Sequence, residues 1–114
     1  MLSLNDYQIA ANRTINKDAD EKWLLVNVGL GLTGEAGEVA DMLKKHLTHS
    51  HVLDKTKIVK ELGDVLWYIA EAAYIIGVSL EDIAQTNIDK LRQRYPDGFT
   101  SERSINREEN NVGR

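Results

Sequence analysis

The clearest helical pattern lies near the middle of the chain, where residues 54–77 read DKTKIVKELGDVLWYIAEAAYIIG. Apolar side chains recur in this stretch at intervals of three and four residues, the period of an amphipathic helix. Asp54 suits the N-cap of such a helix, and Gly77 suits the position just after its last turn. The stretch therefore predicts a long helix with one face in a protein core.

The same period continues in both directions along the chain and predicts three further helices, at about residues 3–15, 21–47 and 79–94. The single proline, Pro96, disfavours helical geometry at Tyr95 and so closes the last of these helices near Arg94. The glycines of the second helix lower its propensity and favour a kink or close backbone packing; they are Gly29, Gly31, Gly34 and Gly37. The predicted fold class is all-α, a four-helix bundle.

Length sets the expected domain organisation. With 114 residues, the chain is the size of one small domain, and helices this few often complete their core by associating. We expect one domain over residues 1–99, completed by homo-oligomerisation. Residues 100–114 are polar and nearly free of large apolar side chains, so a mobile tail is the default expectation there.

Composition excludes several classes of function. The formal net charge is −4, and lysines and arginines are dispersed among acids, so a nucleic-acid polymer is not an expected partner. Cysteine is absent, which excludes a disulfide framework and a thiolate metal site and suits a reducing cytosol. No stretch approaches the ~20 apolar residues that span a bilayer, nor is there a signal-like start. We expect a cytoplasmic protein with no membrane partner.

The informative feature is a pair of acidic doublets with i, i+3 spacing, Glu35 with Glu38 and Glu61 with Asp64. At about 100° per residue, Glu35 points into the apolar stripe of the second helix, and Glu38 lies at its edge. Glu61 falls within the apolar arc of the third helix, and Asp64 borders it. Both core-facing surfaces are thus predicted to carry carboxylates.

Acidic pairs at this spacing are also common on solvated helix faces, and either doublet taken alone has that simpler interpretation. The direction in which the side chains face favours a shared cation or several basic partners, because an unpaired buried carboxylate costs several kcal/mol. An all-oxygen donor set suits magnesium or manganese and argues against structural zinc. A di-iron bundle would require a Glu-x-x-His pair, which neither doublet has.

The fourth helix carries a polar and cationic row. Asn87, Lys90 and Arg94 stand at i, i+3 and i+7 and therefore line one stripe. This row could neutralise the acids in a structural salt-bridge core, or it could bind the phosphates of a metal-bound ligand. Spacing alone leaves both interpretations open.

Three motifs together resemble a known family. They are GEAGEVAD at residues 34–41, KELGDVLWY at 60–68 and NIDKLRQRYP at 87–96. In combination they are similar to the MazG-like nucleotide pyrophosphohydrolases of the all-α NTP pyrophosphatase superfamily, over roughly residues 3–99. The chain looks like a compact member with a single module.

The resemblance implies a Mg²⁺-dependent enzyme, with Mn²⁺ as a substitute, in which water attacks the α-phosphorus of a nucleoside triphosphate and pyrophosphate leaves. The implied metal ligands and catalytic residues are Glu35, Glu38, Glu61 and Asp64, with Glu38 our choice for orienting or deprotonating the water. Asn87 and Lys90 would contact sugar or phosphate, with Arg94 as a helper. The implied assembly is a homodimer or homotetramer with its site near the subunit interface.

Two finer expectations concern substrate contacts. Among the aromatic residues of the third helix, Trp67 is the candidate for stacking on the base, since it lies about 60° from Asp64 and off the main apolar arc. The segment 104–107 also looks like an extension of some compact members, in which Arg107 would fold over the phosphates. Two other functions remain open, a non-catalytic magnesium–nucleotide sensor and a helical dimerisation module.

Overall fold

The structure, a computed structural model, describes residues 1–110, with side chains through Arg107. It contains five helices: α1 (Leu4–Asn12), α2 (Glu21–Thr48), α3 (Lys55–Ile76), α4 (Leu80–Arg94) and α5 (Ser101–Asn110). No strand occurs among these residues, which confirms the predicted all-α class. Over the same range, no single helix is both long and apolar enough to cross a membrane.

The ends of α3 are capped by the residues that the sequence predicts. The Asp54 carboxylate accepts the backbone N–H groups of Thr56 and Lys57 at 3.0 and 3.3 Å. Gly77 ends the helix in the left-handed region, at φ +80°, where a residue without a Cβ is not strained. α1 ends at Asn12, earlier than predicted.

The chain divides into two compact units, residues 1–80 and 81–114. In the first unit, α3 is the central helix and packs against both α1 and α2. The buried apolar positions are few and mostly small; they are Ala11, Val28, Ala70, Ala73 and Leu80. A small core of this kind buries little apolar area and leaves a single copy with limited hydrophobic stabilisation.

One polar side chain ties α1 to the far end of α3. The Gln8 amide donates hydrogen bonds to the carbonyls of Ala70 and Val78 at 3.3 and 3.1 Å. Its carbonyl oxygen accepts the backbone N–H of Leu80 at 2.9 Å. Because Gln8 satisfies three backbone groups around the end of α3, it fixes where α1 lies along that helix.

Gly31 is the glycine of α2 at which close packing occurs. α2 runs unbroken for 28 residues, and an added Cβ at Gly31 would overlap the Tyr68 ring, lying 2.8 Å from Cδ1 and nearer still to the next two ring atoms. Gly29, by contrast, has nothing within 4 Å of the same added atom. The absence of a side chain at Gly31 thus lets α2 and α3 approach.

The segment for which mobility was the default expectation forms a helix over Ser101–Asn110. Thr100 begins it, since its hydroxyl accepts the backbone N–H of Arg103 at 3.1 Å and its carbonyl accepts that of Ser104. A turn at Gly98, with φ +93°, precedes it. A capped helix with hardly any large apolar residue gives no hydrophobic period to detect in the sequence. Residues 111–114 lie outside the described residues.

Glu71 of α3 has no exposed surface, and neither of its carboxylate oxygens has a hydrogen-bond partner among the described residues. Burial raises the pKa of this carboxyl above its ordinary value. The folded chain therefore binds the proton more tightly than the unfolded chain does. The contribution of Glu71 to the free energy of unfolding is therefore full below the ordinary glutamate pKa. It is lost as pH rises through the pKa of Glu71 in the folded chain.

We expect Glu71→Met, which keeps the side-chain length without a charge, to raise the free energy of unfolding at pH 7 by about 1–3 kcal/mol, the usual cost of a buried unpaired polar group. The gain should shrink as pH falls towards 4.5, because the wild-type carboxyl is then protonated. Urea denaturation of both proteins across this pH range measures the effect. A variant less stable than wild type at pH 7 would contradict an unpaired Glu71.

Candidate metal and nucleotide site

Packing of α2 against α3 brings three of the four predicted carboxylates together. One oxygen from each of Glu35, Glu38 and Glu61 lies within 4.8 Å of the other two. Glu35 and Glu61 are half-buried and Glu38 is exposed. Since each residue stands on a rigid helix, the cluster is held by the backbone and does not depend on a loop.

The carboxylates of this cluster interact strongly. The pKa of Glu61 is raised, first by a shared hydrogen bond with Glu38, then by burial, and then by the negative charges of Glu38, Glu35 and Asp64. Such a raised pKa means that like charges oppose ionisation of Glu61. A bound cation would reverse this effect and favour the fully ionised cluster.

The cluster also retains unused acceptors. Glu35 and Glu61 each have one buried carboxylate oxygen with no hydrogen-bond partner within the described part of the chain. Buried polar atoms are normally paired, so these two oxygens favour a ligand that the protein itself does not supply. The donors are all carboxylate oxygens, which fits a hard divalent cation such as Mg²⁺ or Mn²⁺.

Asp64, the fourth predicted ligand, is exposed and stands outside the three-carboxylate group, although its charge contributes to the raised pKa of Glu61. With Glu35, Trp67 and Tyr68, it lines a cavity of about 300 Å³. This volume is at the lower end of the range, about 300–1,000 Å³, of small-molecule sites. The cavity places an acid from each doublet beside two aromatic rings.

Trp67 is oriented by two contacts. Its indole N–H donates to the Thr14 hydroxyl at 2.7 Å, and its ring meets that of Tyr68 edge-on, with centroids 5.0 Å apart. The side chain is only half-buried and borders the cavity of the acids. A fixed, partly open aromatic face is what base stacking requires, and this role stays a prediction.

Sequence reasoning missed Tyr7 of α1. The pKa of its hydroxyl is raised by burial, and further by the charges of Asp64 and Glu71. Tyr7 therefore lies near an acid of the second doublet. No local signal in the sequence could have found it, because the position of Tyr7 relative to Asp64 depends on how α1 docks against α3.

The predicted cationic row lies on α4, in the second unit. Asn87 is exposed, whereas Lys90 and Arg94 are half-buried. Arg94 lines a cavity of about 360 Å³ within that unit, together with Arg107 of α5. Contacts of this row with a nucleotide remain predictions.

Comparison with known proteins identifies the family. The profile of the MazG nucleotide pyrophosphohydrolase domain matches residues 27–99, which include both doublets and the α4 row. The chain is 37% identical to the Gene 37 protein of Mycobacterium phage L5 over 109 residues, covering 89% of this chain and 96% of that protein. It is 33% identical over 79 residues to the uncharacterized protein YvdC of Bacillus subtilis (strain 168), covering 61% of this chain and 74% of the relative.

No solved structure matches this chain. The assignment therefore depends on the profile and on the phage relative, which spans almost its whole length. The matched region contains the carboxylate cluster of α2 and α3 and the row on α4, so the resemblance seen in the motifs is confirmed. The chain belongs to the MazG nucleotide pyrophosphohydrolase family.

Proposed function

We propose that this protein hydrolyses nucleoside triphosphates, ribo or deoxy, to the monophosphate and pyrophosphate in a Mg²⁺-dependent reaction. Family membership indicates nucleotide pyrophosphohydrolase activity in general. The observation that carries the proposal is the cluster of Glu35, Glu38 and Glu61, whose oxygens lie within 4.8 Å of one another. A cluster of this kind is costly without a cation, and a bound divalent cation stabilises the charge that develops in phosphoryl transfer.

In this proposal Glu35, Glu38, Glu61 and Asp64 hold the metal, which when bound offsets negative charge on the phosphates. Glu38 is the exposed member of the cluster, which supports its assignment as the group that orients the attacking water and accepts its proton. The water oxygen bonds to the α-phosphorus, the bond from that phosphorus to the bridging oxygen breaks, and pyrophosphate leaves.

The same proposal assigns nucleotide contacts to four further residues. Trp67 stacks on the base, and its place beside Glu35 and Asp64 supports this role. Asn87 and Lys90 bind sugar or phosphate, with Arg94 assisting, because amide and cationic groups pair with phosphate oxygens. We assign residues 1–99 to the catalytic domain, since the family profile ends at residue 99.

We further propose that the chain assembles as a homodimer or homotetramer. On α2 the large apolar side chains of Val26 and Leu30 are 54% and 72% exposed, and on α3 Val59 is 68% exposed. Val26 and Leu30 stand one turn apart on one face of α2, and exposed apolar side chains grouped in this way favour a face covered in an assembly. Light scattering on the purified protein measures the subunit number directly.

The function is tested by incubating the protein with Mg²⁺ and a panel of nucleoside triphosphates and separating the products by anion exchange. We expect monophosphate and pyrophosphate in equal amounts, lost with a chelator and in Glu38→Gln. Glu21→Gln is the matched control, because it removes an exposed acid from the same helix. Diphosphate with free phosphate would contradict attack at the α-phosphorus.

The two other functions predict different results in the same preparation. A sensor would show no product but would melt at a higher temperature with magnesium and nucleotide, since a ligand at 100 times its Kd adds about 2.7 kcal/mol. A helical dimerisation module would show neither product nor stabilisation, and Glu38→Gln would change nothing.

A further inference from the structure

Thr14 connects the end of α1 to Trp67, an aromatic residue of α3. α1 ends at Asn12, and the turn that follows bonds the Thr14 N–H to the Ala11 carbonyl at 3.0 Å. The Thr14 hydroxyl donates to the same carbonyl at 2.7 Å, and it accepts the indole N–H of Trp67 at 2.7 Å. The Thr14 side chain therefore has one bond to its own helix end and one to α3.

The direction of both hydrogen bonds is fixed by chemistry. An indole N–H can only donate and a backbone carbonyl can only accept. The hydroxyl proton of Thr14 is therefore directed to Ala11, and one of its lone pairs is directed to Trp67. Hydrogen bonds joined in this way polarise and strengthen one another. Turning the indole ring over would break its bond to Thr14, so the bonded ring keeps one orientation.

Gln8 holds α1 in the place that this contact needs. Its amide and carbonyl groups bond to three backbone groups around the end of α3, and α1 packs against α3. Thr14 and Trp67 are 53 positions apart in the sequence. Thr14 is therefore brought to Trp67 by the docking of α1 and not by a local sequence pattern.

We propose that Thr14 is a positioning residue for nucleotide binding: it fixes the Trp67 indole so that the ring presents its face, and not its N–H edge, to the base. This inference rests on the proposed function and on the stacking role of Trp67. The ring borders the cavity that Glu35 and Asp64 also line, and its one hydrogen-bonding atom is already bonded to Thr14. A ring that is oriented before the nucleotide arrives loses less conformational freedom on binding, which raises affinity.

The test is calorimetric titration of the full chain with Mg²⁺ and α,β-imido nucleoside triphosphates carrying each of the four common bases. In these analogues nitrogen replaces the bridging oxygen that leaves with pyrophosphate, so binding is measured without turnover. Thr14→Val keeps the shape of the side chain but removes both hydrogen bonds of the hydroxyl. It should raise the Kd of the tightest-binding analogue by about three- to tenfold, the effect of losing one hydrogen bond. Thr14→Ser keeps the hydroxyl and should bind like wild type.

Substrate kinetics give the same contrast in a second form. Stacking on the base is made equally before and during the reaction, so Thr14→Val should raise KM by the same factor and change kcat little. Thr48→Val is the matched control, because the Thr48 hydroxyl also donates to a backbone carbonyl at 2.7 Å, that of Lys44 near the end of α2. This control should change neither Kd nor KM.

A double-mutant cycle assigns the effect to the bond between the two side chains. Trp67→Phe keeps an aromatic face but lacks the N–H that Thr14 accepts. Thr14→Val should therefore raise the Kd much less in the Trp67→Phe protein than in wild type, because both substitutions remove the same bond. An equally large effect in both proteins would overturn the proposal.

The indole proton of Trp67 provides a readout that does not depend on nucleotide. In ¹H–¹⁵N spectra its signal should shift, and the proton should exchange with water faster, in Thr14→Val than in wild type. Thr14→Ser should restore both properties. An indole proton that is the same in wild type and in Thr14→Val would show that the bond is absent, which would overturn the proposal.

Failure of this inference and failure of the proposed function give different results. If the analogue binds and Thr14→Val weakens its binding, but natural nucleotides yield no product, the proposed function is contradicted and the inference stands. If product forms while Thr14→Val leaves both Kd and KM unchanged, the function stands and the inference is wrong. If no analogue binds and no product forms, both are wrong.

Discussion

Replacing Glu61 by glutamine should lower kcat by at least about 100-fold while making the metal-free protein melt at a higher temperature. The pKa of Glu61 is raised, first by its hydrogen bond with Glu38, then by burial, and then by the charges of Glu38, Glu35 and Asp64. Glutamine keeps the shape of the side chain but cannot ionise, so it removes repulsion from the cluster. Loss of even an outer-shell partner of a metal site typically costs about 10–100-fold, and a direct ligand should cost more.

Two readouts on one preparation measure this prediction. Initial rates with Mg²⁺ and the best substrate give the loss of activity, and thermal melts with and without Mg²⁺ give the stability. Wild type should melt at a higher temperature when metal is added, since a cation that binds only the folded state stabilises it. Without metal, the melting temperature of Glu61→Gln should be higher than that of wild type, and it should change little when Mg²⁺ is added.

Opposite signs for activity and stability separate a ligand role from a structural role. If Glu61 were needed only for packing, its replacement would lower both the activity and the stability of the protein. Glu21→Gln, on the exposed start of α2, should change neither activity nor the response to metal. A Glu61→Gln protein that is less stable than wild type and keeps the full response to metal would contradict a metal site in this cluster.

Gly31→Ala should lower the free energy of unfolding by about 1–3 kcal/mol, the usual cost of overpacking a core. The added methyl group would overlap the Tyr68 ring, one of whose atoms lies 2.8 Å away. Tyr68 belongs to the cavity that Glu35 and Asp64 also line. A displaced ring would therefore disturb the site, and we expect activity to fall as well.

Urea denaturation of Gly31→Ala beside Gly29→Ala checks this prediction. The two substitutions are chemically identical and lie two residues apart in one helix, but nothing stands within 4 Å of a Cβ at Gly29. Gly29→Ala should stabilise the protein by up to about 1 kcal/mol, because alanine is the better helix former. Equal effects of the two variants would show that α2 and α3 are not in close contact at Gly31.

Adding Tyr68→Leu to Gly31→Ala isolates the clash. A smaller side chain opposite the new methyl group leaves room for it, so the double variant should lose less stability than the two single losses combined. If the two losses of stability were strictly additive, overlap with the Tyr68 ring would not be the cause of the loss in Gly31→Ala.

Features that depend on interactions between near neighbours in the chain could be predicted from the amino-acid sequence. Apolar side chains at helical period predicted α1 to α4. The caps of α3, Asp54 and Gly77, bond only to backbone groups within one turn of the helix ends, so they too could be predicted. The acidic doublets could be read in the same way, because their spacing and facing follow from helix geometry alone. The three motifs also indicated the MazG-like family, and the profile match over residues 27–99 confirms it.

Features that depend on contacts between residues distant in sequence could be seen only in the folded chain. The tertiary structure determined that Tyr7 lies near Asp64, that Gln8 binds the end of α3, and that Gly31 rather than Gly29 meets Tyr68. It also enclosed Glu71. Helix α5, by contrast, begins at a local Thr100 cap, although the polar composition of residues 101–110 favoured a tail. The period along one helix says which face is buried, but only the docking of helices determines which residue lies opposite.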